Sequence, residues 1–123
     1  MKKLIIFTLV LGLYACKQHS QSITHIPIEQ YEPKATDVLI DVRTPEEYAA
    51  GHLEHAVNID FYGDDFLKNF EQFDKTQPIY IYCKIGRRSG MTVKELENIG
   101  FQNIINLEGG MTRWNEHQKP TGK

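Results

Sequence analysis

Two short apolar runs constrain the fold of this chain more than any other feature. The first is residues 38–42, interrupted only by an aspartate, and the second is residues 79–82. Short runs in which polar and apolar residues do not alternate are typical of parallel strands buried on both faces. Residues 56–59 and 104–107 are shorter candidates of the same kind. The runs therefore predict a sheet that is covered on both faces.

Helical segments lie between these runs. Residues 44–47, Thr-Pro-Glu-Glu, combine a capping residue, a proline and two acids, which is typical of a helix start. Residues 64–72 place phenylalanines near helical spacing, and residues 89–98 begin with a cap-type serine and end before a glycine stop. Strands that alternate with helices predict one α/β domain with a mainly parallel sheet. Ligands of such sheets bind beyond the carboxyl ends of the strands.

The composition excludes several classes of protein. The chain has 123 residues, of which 41 % are hydrophobic and 24 % charged, and its formal net charge is −2. These values fit neither a disordered nor a collagen-like chain, and the length suits one domain with one core. Without a basic excess, no nucleic acid is expected to bind through bulk charge. The two cysteines, Cys16 and Cys83, are too few for a disulfide framework.

The N-terminus combines a basic start with an apolar run. Lys2 and Lys3 precede ten largely apolar residues, 4–13. Ten residues are too few to span a bilayer, but they are typical of the apolar region of a secretory signal peptide. Residues 13–16, Leu-Tyr-Ala-Cys, resemble the lipobox of bacterial lipoproteins. This resemblance implies cleavage after residue 15 and a lipid on Cys16.

The lipobox resemblance also implies an organisation and a location. Residues 1–15 are then a lipoprotein-type signal peptide, residues 16–24 a lipidated N-terminus and polar tether, and residues 25–119 the folded domain. Several acyl chains would anchor the protein firmly to a membrane, since each buried methylene contributes about 0.8 kcal/mol. We expect a location on the periplasmic side of the bacterial cell envelope, and the lysine after Cys16 favours the outer membrane. An ordinary signal peptide followed by a free cysteine is the alternative.

Cys83 directly follows the second apolar run, at the sheet edge where ligands are expected. The loop to the next helix is short, contains Gly86 and carries three cations, Lys84, Arg87 and Arg88. Glycine permits the positive φ of a tight curl, and successive N–H groups in such a curl form an anion-binding nest with the following helix N-terminus. These features favour the thiolate, which is the nucleophilic form of cysteine. A buried structural cysteine is the alternative.

A metal site is not expected. The sequence has no C-x-x-C motif, and its five histidines lack a paired metal-ligand spacing apart from His52 and His55. We interpret these two histidines as loop residues.

Three segments resemble, in the right order, the signatures of the rhodanese domain. Residues 41–59, DVRTPEEYAAGHLEHAVNI, are similar to its first signature. Residues 83–89, CKIGRRS, resemble its active-site loop, and residues 107–114, LEGGMTRW, resemble its C-terminal Gly-Gly…Trp signature. The resemblance covers about residues 23–119. It implies an α/β fold with a central, mainly parallel five-stranded sheet flanked by helices.

The same resemblance implies a sulfurtransferase. Cys83 would accept a sulfane sulfur from thiosulfate or a persulfide and pass it, from an enzyme persulfide, to a thiophilic acceptor such as cyanide or a thiol. Arg88 would either bind an anionic donor or brace the loop through an acid. Backbone N–H groups of the loop would cradle the sulfur, which makes these the candidate substrate-binding residues: Lys84, Ile85, Gly86, Arg87, Arg88 and Ser89.

The resemblance implies no cofactor. The expected partners are small sulfur compounds, a thiol acceptor or partner protein, and the membrane through the N-terminal lipid. We expect a monomer that does not bind nucleic acid.

Other residues of the three segments are expected to be structural. Asp41 and Arg43 lie at the end of the neighbouring strand, and we expect an ion pair rather than chemistry. Glu46 and Glu47 are interpreted as helix-start acids on a solvated face. Packing and turn positions are expected for the aromatic residue and glycines of the third segment, Trp114, Gly109 and Gly110.

The length of the cysteine loop separates sulfur transfer from phosphoryl chemistry. In cysteine phosphatases with a phosphate cradle, an arginine lies six positions after the cysteine, whereas here Arg88 lies five after Cys83 and Ser89 takes the sixth position. The smaller ring suits sulfur and is tight for a phosphate. A phosphatase or arsenate reductase is the weaker alternative. A binding or sulfur-relay module of the envelope, with little free turnover, is the other.

One departure from the family pattern concerns residues 27–36. Rhodanese domains usually carry a helix between the first strand and the strand that ends at Asp41, but here the stretch is short and contains Pro27 and Pro33. We expect this helix to be reduced or absent, which would open one edge of the active-site face.

Overall fold

The computed structural model describes residues 20–123. The predicted signal peptide, Cys16 and residues 17–19 of the predicted tether lie outside these residues. Residues 22–24, which we predicted as the end of the tether, instead belong to the first strand. Five strands form a single sheet of order β1-β5-β4-β2-β3, in which every neighbouring pair is parallel. The strands are β1 (Ser22–Pro27), β2 (Val38–Asp41), β3 (Val57–Asn58), β4 (Ile79–Tyr82) and β5 (Asn103–Glu108).

Helices cover both faces of this sheet. The three α-helices are α1 (Pro45–Ala49), α2 (Arg87–Asn98) and α3 (Gly110–Glu116), and two 3-10 helices span Ile28–Gln30 and Leu67–Gln72. The predicted α/β fold with a parallel five-stranded sheet is confirmed. None of the described helices is both long and apolar enough to cross a membrane.

The two apolar runs form the centre of the sheet, as predicted. Alternate residues of β2 and β4 enter two separate clusters of buried side chains, one on each face of the sheet. Val93 and Leu96 of α2 complete the first cluster, while Met111 and Trp114 of α3 belong to the second. Because both faces of these strands meet apolar side chains, polar and apolar residues do not alternate along them.

Two helices differ from their predicted bounds. We predicted a helix over 89–98 that begins at Ser89, but α2 begins at Arg87, with Gly86 at the preceding cap position and at a φ of +112°. The positive φ turns the chain directly into the helix, so Ser89 lies inside the first turn. Residues 64–72 were predicted to be helical and form a shorter 3-10 helix, in which Phe70 is buried and packs edge-on against Phe66.

The predicted loss of a helix over 27–36 is confirmed, but its consequence differs from the prediction. Only the three-residue 3-10 helix Ile28–Gln30 remains there. A cavity of about 270 Å³ lies beside this segment, and Tyr31 and Tyr80 line it. Tyr80 alternates along β4 with Ile81, whose face of the sheet also holds Cys83, so the opening lies on the opposite face. The active-site face is not opened.

Candidate active site

Cys83 lies one residue beyond the carboxyl end of β4 and its side chain is buried, with 1 % of the residue exposed. Its Sγ accepts a hydrogen bond from the Gly86 N–H at 3.0 Å. The Ser89 Oγ lies 3.4 Å from Sγ and 3.3 Å from the Gly86 carbonyl oxygen. Cys83 is the one cysteine among the described residues and forms no disulfide there.

The loop curls because Gly86 occupies a conformation that other residues rarely adopt. Its φ is +112°, and a Cβ built there would meet no heavy atom within 4 Å. Backbone conformation, rather than space, therefore requires glycine at this position. The curl brings the Gly86 N–H back onto Sγ and directs the first turn of α2 toward the same region. Such N–H donors stabilise negative charge on sulfur.

The third segment that resembles the rhodanese domain, residues 107–114, holds the start of the cysteine loop through backbone hydrogen bonds. Met111 and Thr112, in the first turn of α3, donate their backbone N–H groups to the carbonyl oxygens of Cys83 and Lys84, at 2.8 and 3.0 Å. Gly110 directly precedes Met111 and has a φ of +61°, and a Cβ there would clash with both carbonyl oxygens. Gly110 is thus a turn residue, as expected, and it also allows α3 to cap the start of the loop.

Arg88 braces the loop through an acid, which was one of its two predicted roles. Its guanidinium donates to both carboxylate oxygens of Glu47, from Nη1 to Oε1 at 2.7 Å and from Nη2 to Oε2 at 3.1 Å. Glu47 also accepts a hydrogen bond from the Thr44 N–H while Thr44 Oγ1 accepts one from the Glu47 N–H, which completes the predicted helix cap. One carboxylate therefore ties α1 to the cysteine loop.

The interpretation of Glu47 as a solvated helix-start acid is wrong. Its side chain is half-buried and lines the same cavity as Cys83. The hydrogen bonds from Arg88 lower the pKa of Glu47 to about 2, with further lowering by the Thr44 backbone N–H. The same hydrogen bonds raise the pKa of Arg88. Nothing in the spacing of the first and second segments indicated that Glu47 would contact Arg88. The neighbouring acid, Glu46, is exposed as expected.

Asp41 and Arg43 form the predicted ion pair, and it is buried. Arg43 Nη2 lies 2.7 Å from Asp41 Oδ2, and the Arg43 Nε donates to both carboxylate oxygens at 3.0 Å. Arg43 Nη2 also donates to the Gly51 carbonyl oxygen at 2.7 Å. Because the hydrogen bonds of both charged groups are directed at each other and at the backbone, the pair connects β2 to the end of α1.

A cavity of about 580 Å³ opens above Cys83. Arg88 lies over the ring of Tyr62, with the guanidinium carbon 5.9 Å from the ring centroid. Among the described residues, neither Lys84 nor Arg87 forms a salt bridge, and both are exposed. The cavity wall consists of these residues: Thr44, Glu47, Tyr62, Cys83, Lys84, Ile85, Arg87, Arg88 and Met91.

The structure brings the predicted site residues together around Sγ, apart from Asp41 and Arg43. Four of the six predicted substrate-binding residues line the cavity, Lys84, Ile85, Arg87 and Arg88. Gly86 and Ser89 form hydrogen bonds with Sγ but do not line the cavity. Asp41 and Arg43 do not line the cavity. Tyr62 and Met91 also line the cavity, and both were missed by the sequence analysis, since neither belongs to the three segments that resemble the rhodanese domain.

The described part of the chain contains no cluster of three or more ligating side chains that could hold a metal ion. His52 stacks on Tyr48 with ring centroids 3.7 Å apart, and its Nδ1 lies 2.9 Å from the Tyr48 carbonyl oxygen. His52 therefore has a packing role in the loop.

The site can perform nucleophilic chemistry on an anionic or polarised electrophile. It offers a thiol with an N–H donor aimed at its sulfur and a space beside that sulfur. At the mouth lie two cations that have no acidic partner within residues 20–123. Donors fixed in advance of the reaction stabilise charge that develops on sulfur without reorganisation.

Comparisons with known proteins place these features in a family context. The sequence model of the rhodanese-like domain matches residues 27–117. The chain is 37 % identical over 92 residues to the putative sulfurtransferase YtwF of Bacillus subtilis, covering 75 % of this chain and 86 % of that protein. It is 33 % identical over 97 residues to adenylyltransferase and sulfurtransferase uba4 of Ogataea parapolymorpha, covering 77 % of this chain and 24 % of that protein.

The chain spans only part of several curated relatives, from 24 % to 59 % of the length of three of them. Among solved structures, the fold matches SSP1007 from Staphylococcus saprophyticus with a TM-score of 0.68 and 28 % identity. That match covers 81 % of this chain and 99 % of that one.

Proposed function

Because the chain belongs to the rhodanese-like domain family, we propose that it is a sulfurtransferase in which Cys83 carries the transferred sulfur as a persulfide. Relatives named as sulfurtransferases support sulfur transfer in general terms. The observation that carries the assignment to Cys83 is the hydrogen bond from the Gly86 N–H to Sγ at the floor of the cavity.

The first half-reaction loads Cys83. The Cys83 thiolate attacks the outer sulfur of thiosulfate or of a persulfide, and a new S–S bond forms at Sγ. The S–S bond of the donor breaks, and its electron pair leaves with sulfite or with a thiolate. The Gly86 N–H stabilises the attacking thiolate, while Lys84 and Arg87 attract the anionic donor to the mouth.

The second half-reaction unloads it. An acceptor thiolate, or cyanide, attacks the terminal sulfur of the Cys83 persulfide. The S–S bond at Sγ breaks, its electron pair returns to Cys83, and the thiolate is restored. No net oxidation of the protein occurs, because the sulfane sulfur leaves in the oxidation state in which it arrived.

Arg88 supports sulfur rather than phosphoryl chemistry. Both terminal nitrogens of its guanidinium donate to Glu47, so its charge is already paired with a carboxylate. A phosphatase needs its arginine free to hold phosphate oxygens. We therefore expect no turnover of p-nitrophenyl phosphate, and turnover that depends on Cys83 would favour the phosphatase or arsenate-reductase alternative.

Intact-mass measurement tests the main proposal. Incubation with thiosulfate, and separately with a small-molecule persulfide, is expected to add one sulfur atom to the protein. Cys83→Ser is the control and is expected to add none. Absence of an adduct on the folded wild-type protein with either donor contradicts the proposal.

Turnover distinguishes an enzyme from a relay module. Cyanide is expected to remove the added sulfur, with repeated cycles when thiosulfate is in excess. A loaded persulfide that no small acceptor removes would instead favour the binding or relay alternative.

We further propose that the mature protein is held by a lipid on Cys16 at the periplasmic side of the bacterial envelope. The support is the basic start, the apolar run and the Leu-Tyr-Ala-Cys motif. In cells that process lipoproteins, labelled fatty acid is expected to enter the wild type and Cys83→Ser but not Cys16→Ser. Label in Cys16→Ser, or no label in any of the three, contradicts this second proposal.

A further inference from the structure

Large hydrophobic side chains are exposed at the mouth of the Cys83 cavity. Among the described residues, four large hydrophobic side chains are exposed, Tyr62 at 68 %, Ile85 at 58 %, Met91 at 49 % and Val57 at 47 %. The first three line the cavity, and Val57 does not. Tyr62 comes from the loop after β3, Ile85 from the cysteine loop and Met91 from α2. Exposed apolar residues that converge on one spot from separate elements mark a binding surface.

The rim of Tyr62, Ile85 and Met91 is not needed for the chemistry on sulfur. The Ile85 side chain takes no part in the hydrogen bonds of Sγ, which accepts from the Gly86 N–H and donates to the Ser89 Oγ. Tyr62 and Met91 lie outside the loop altogether. Their exposure costs free energy in water, so the rim is best explained by a ligand that covers it.

The size of the cavity excludes an inorganic ligand as its full occupant. About 580 Å³ lies within the range of pockets that bury drug-sized ligands. A thiosulfate ion or a cyanide ion fills only a small part of that space and leaves the rim in contact with water. The occupant that fits must carry sulfur on a larger, partly apolar body.

The charged side chains at the mouth of the cavity also limit which ligand fits there. Lys84 and Arg87 are exposed and form no salt bridge within the described residues, while Arg88 is already neutralised by Glu47. An occupant with one or more carboxylates beside its apolar part would complement the two free cations.

From this geometry we infer that the rim of Tyr62, Ile85 and Met91 docks a polypeptide segment whose cysteine exchanges sulfur with Cys83, flanked by apolar and acidic side chains. The inference rests on the proposed persulfide at Cys83 and names the class of its partner. A cysteine thiol on a main chain can reach the recessed Sγ, while the residues on either side of that cysteine meet the rim and the cations.

In the transfer step, the cysteine thiolate of the segment attacks the terminal sulfur of the Cys83 persulfide. A new S–S bond forms on the segment, the bond at Sγ breaks, and the electron pair returns to Cys83. Transfer in the reverse direction follows the same path, so the segment serves as donor or acceptor without a further reactant.

Two synthetic peptides and one small thiol test the inference. Protein loaded at Cys83 is mixed with Ac-Glu-Leu-Cys-Leu-Glu-NH₂, with Ac-Lys-Ser-Cys-Ser-Lys-NH₂ and with N-acetylcysteine amide, and loss of the added sulfur is followed by intact mass. The acidic apolar peptide is expected to react about tenfold faster than either other thiol, relative to cyanide as a common reference. Equal relative rates overturn the inference.

Rim variants test where the preference originates. The double variant Tyr62→Ser, Met91→Ser is expected to remove most of the tenfold preference, whereas Val57→Ser, the matched exposed position outside the cavity, is expected to retain it. Retention of the preference in the double variant overturns the inference. Self-association of the wild type that the double variant lacks, measured by sedimentation, also overturns it, because the rim would then bind a second copy of the chain. Failure of loading at Cys83 would instead contradict the proposed function, so the two outcomes are distinguishable.

Discussion

Arg88 and Glu47 lie forty-one positions apart in the sequence and form a bidentate ion pair at the wall of the Cys83 cavity. The pair joins the first turn of α2 to the first turn of α1. It also leaves Lys84 and Arg87 as the cations at the mouth that lack acidic partners among the described residues. The pair therefore ties the helix after β2 to the segment that follows Cys83.

Replacing Glu47 with glutamine is expected to loosen the cysteine loop. The amide keeps one hydrogen bond to Arg88 but loses the second and the charge, so we expect a loss of about 1–2 kcal/mol in the free energy of unfolding. We also expect Cys83 to load several-fold more slowly. Urea denaturation and loading rates by intact mass measure the two effects. Glu46→Gln, at the exposed neighbouring position, is the control, and equal effects of the two substitutions would contradict this role.

Acid stability is expected to depend on the same pair. Hydrogen bonds from Arg88 hold the pKa of Glu47 at about 2 in the folded protein, below its ordinary value of 4.5. The unfolded chain therefore takes up this proton first as the pH falls. The stabilisation from the pair is complete above pH 4.5 and is lost as the pH falls toward 2.

The test of acid stability compares how steeply the free energy of unfolding changes with pH in the wild type and in Glu47→Gln. The free energy of unfolding of the wild type is expected to fall more steeply over this range than that of Glu47→Gln, because glutamine has no proton to gain. Comparison of the two removes the contribution of other carboxylates such as Asp74, whose pKa is also lowered by hydrogen bonds from Thr76. Parallel slopes would show that the Glu47 carboxylate contributes nothing to acid stability.

A methyl group at Gly110 is expected to displace the cysteine loop. A Cβ there clashes with the carbonyl oxygens of Cys83 and Lys84, and the φ of +61° is unfavourable for alanine. We expect Gly110→Ala to cost about 3 kcal/mol or more and to slow loading of Cys83 in the fraction that remains folded.

Gly90→Ala is the matched control for this substitution. Gly90 lies within α2, and a Cβ there meets no heavy atom within 4 Å. Alanine is expected to stabilise the helix by about 0.5–1 kcal/mol. Thermal and urea unfolding of both variants measure the contrast, and a neutral Gly110→Ala would show that α3 does not support the loop.

Breaking the buried ion pair is expected to unfold the domain rather than alter its chemistry. Asp41 is fully buried, so Asp41→Asn leaves the Arg43 charge without a carboxylate, at a cost of about 3–5 kcal/mol. Asp65→Asn, at an exposed position, is expected to be neutral. Urea denaturation measures stability, and loading per folded molecule separates the roles: a stable Asp41→Asn that fails to load would indicate a direct chemical role for Asp41.

Much of the fold follows from local sequence. The runs at 38–42 and 79–82 had to be strands with two buried faces, because no polar periodicity offered either face to water. The helix start at Thr44 followed from its own side chain and from the acid three positions later, and both hydrogen bonds of that cap are present. The position of Cys83 after a strand and before a helix likewise required only the order of the elements.

The start of α2 and the role of Glu47 could not be predicted in the same way. Ser89 has the side chain of a helix cap, but the positive φ at Gly86 starts the helix earlier and leaves the serine hydroxyl near Sγ. Glu47 was interpreted as solvated because local sequence describes only its own helix. Its partner Arg88 reaches it through the tertiary fold, which places α1 and α2 at the same edge of the sheet.

The sequence by itself determined the order of the elements, the position of Cys83 between a strand and a helix, and the glycine that lets its loop curl. Each of these depends on residues a few positions apart. Only the tertiary structure decided that Arg88 faces Glu47 and that Gly110 lies beneath the loop. It also decided that Tyr62, Ile85 and Met91 meet at one rim. These contacts join segments far apart in the chain, and their energy depends on distances that exist only once the sheet has assembled.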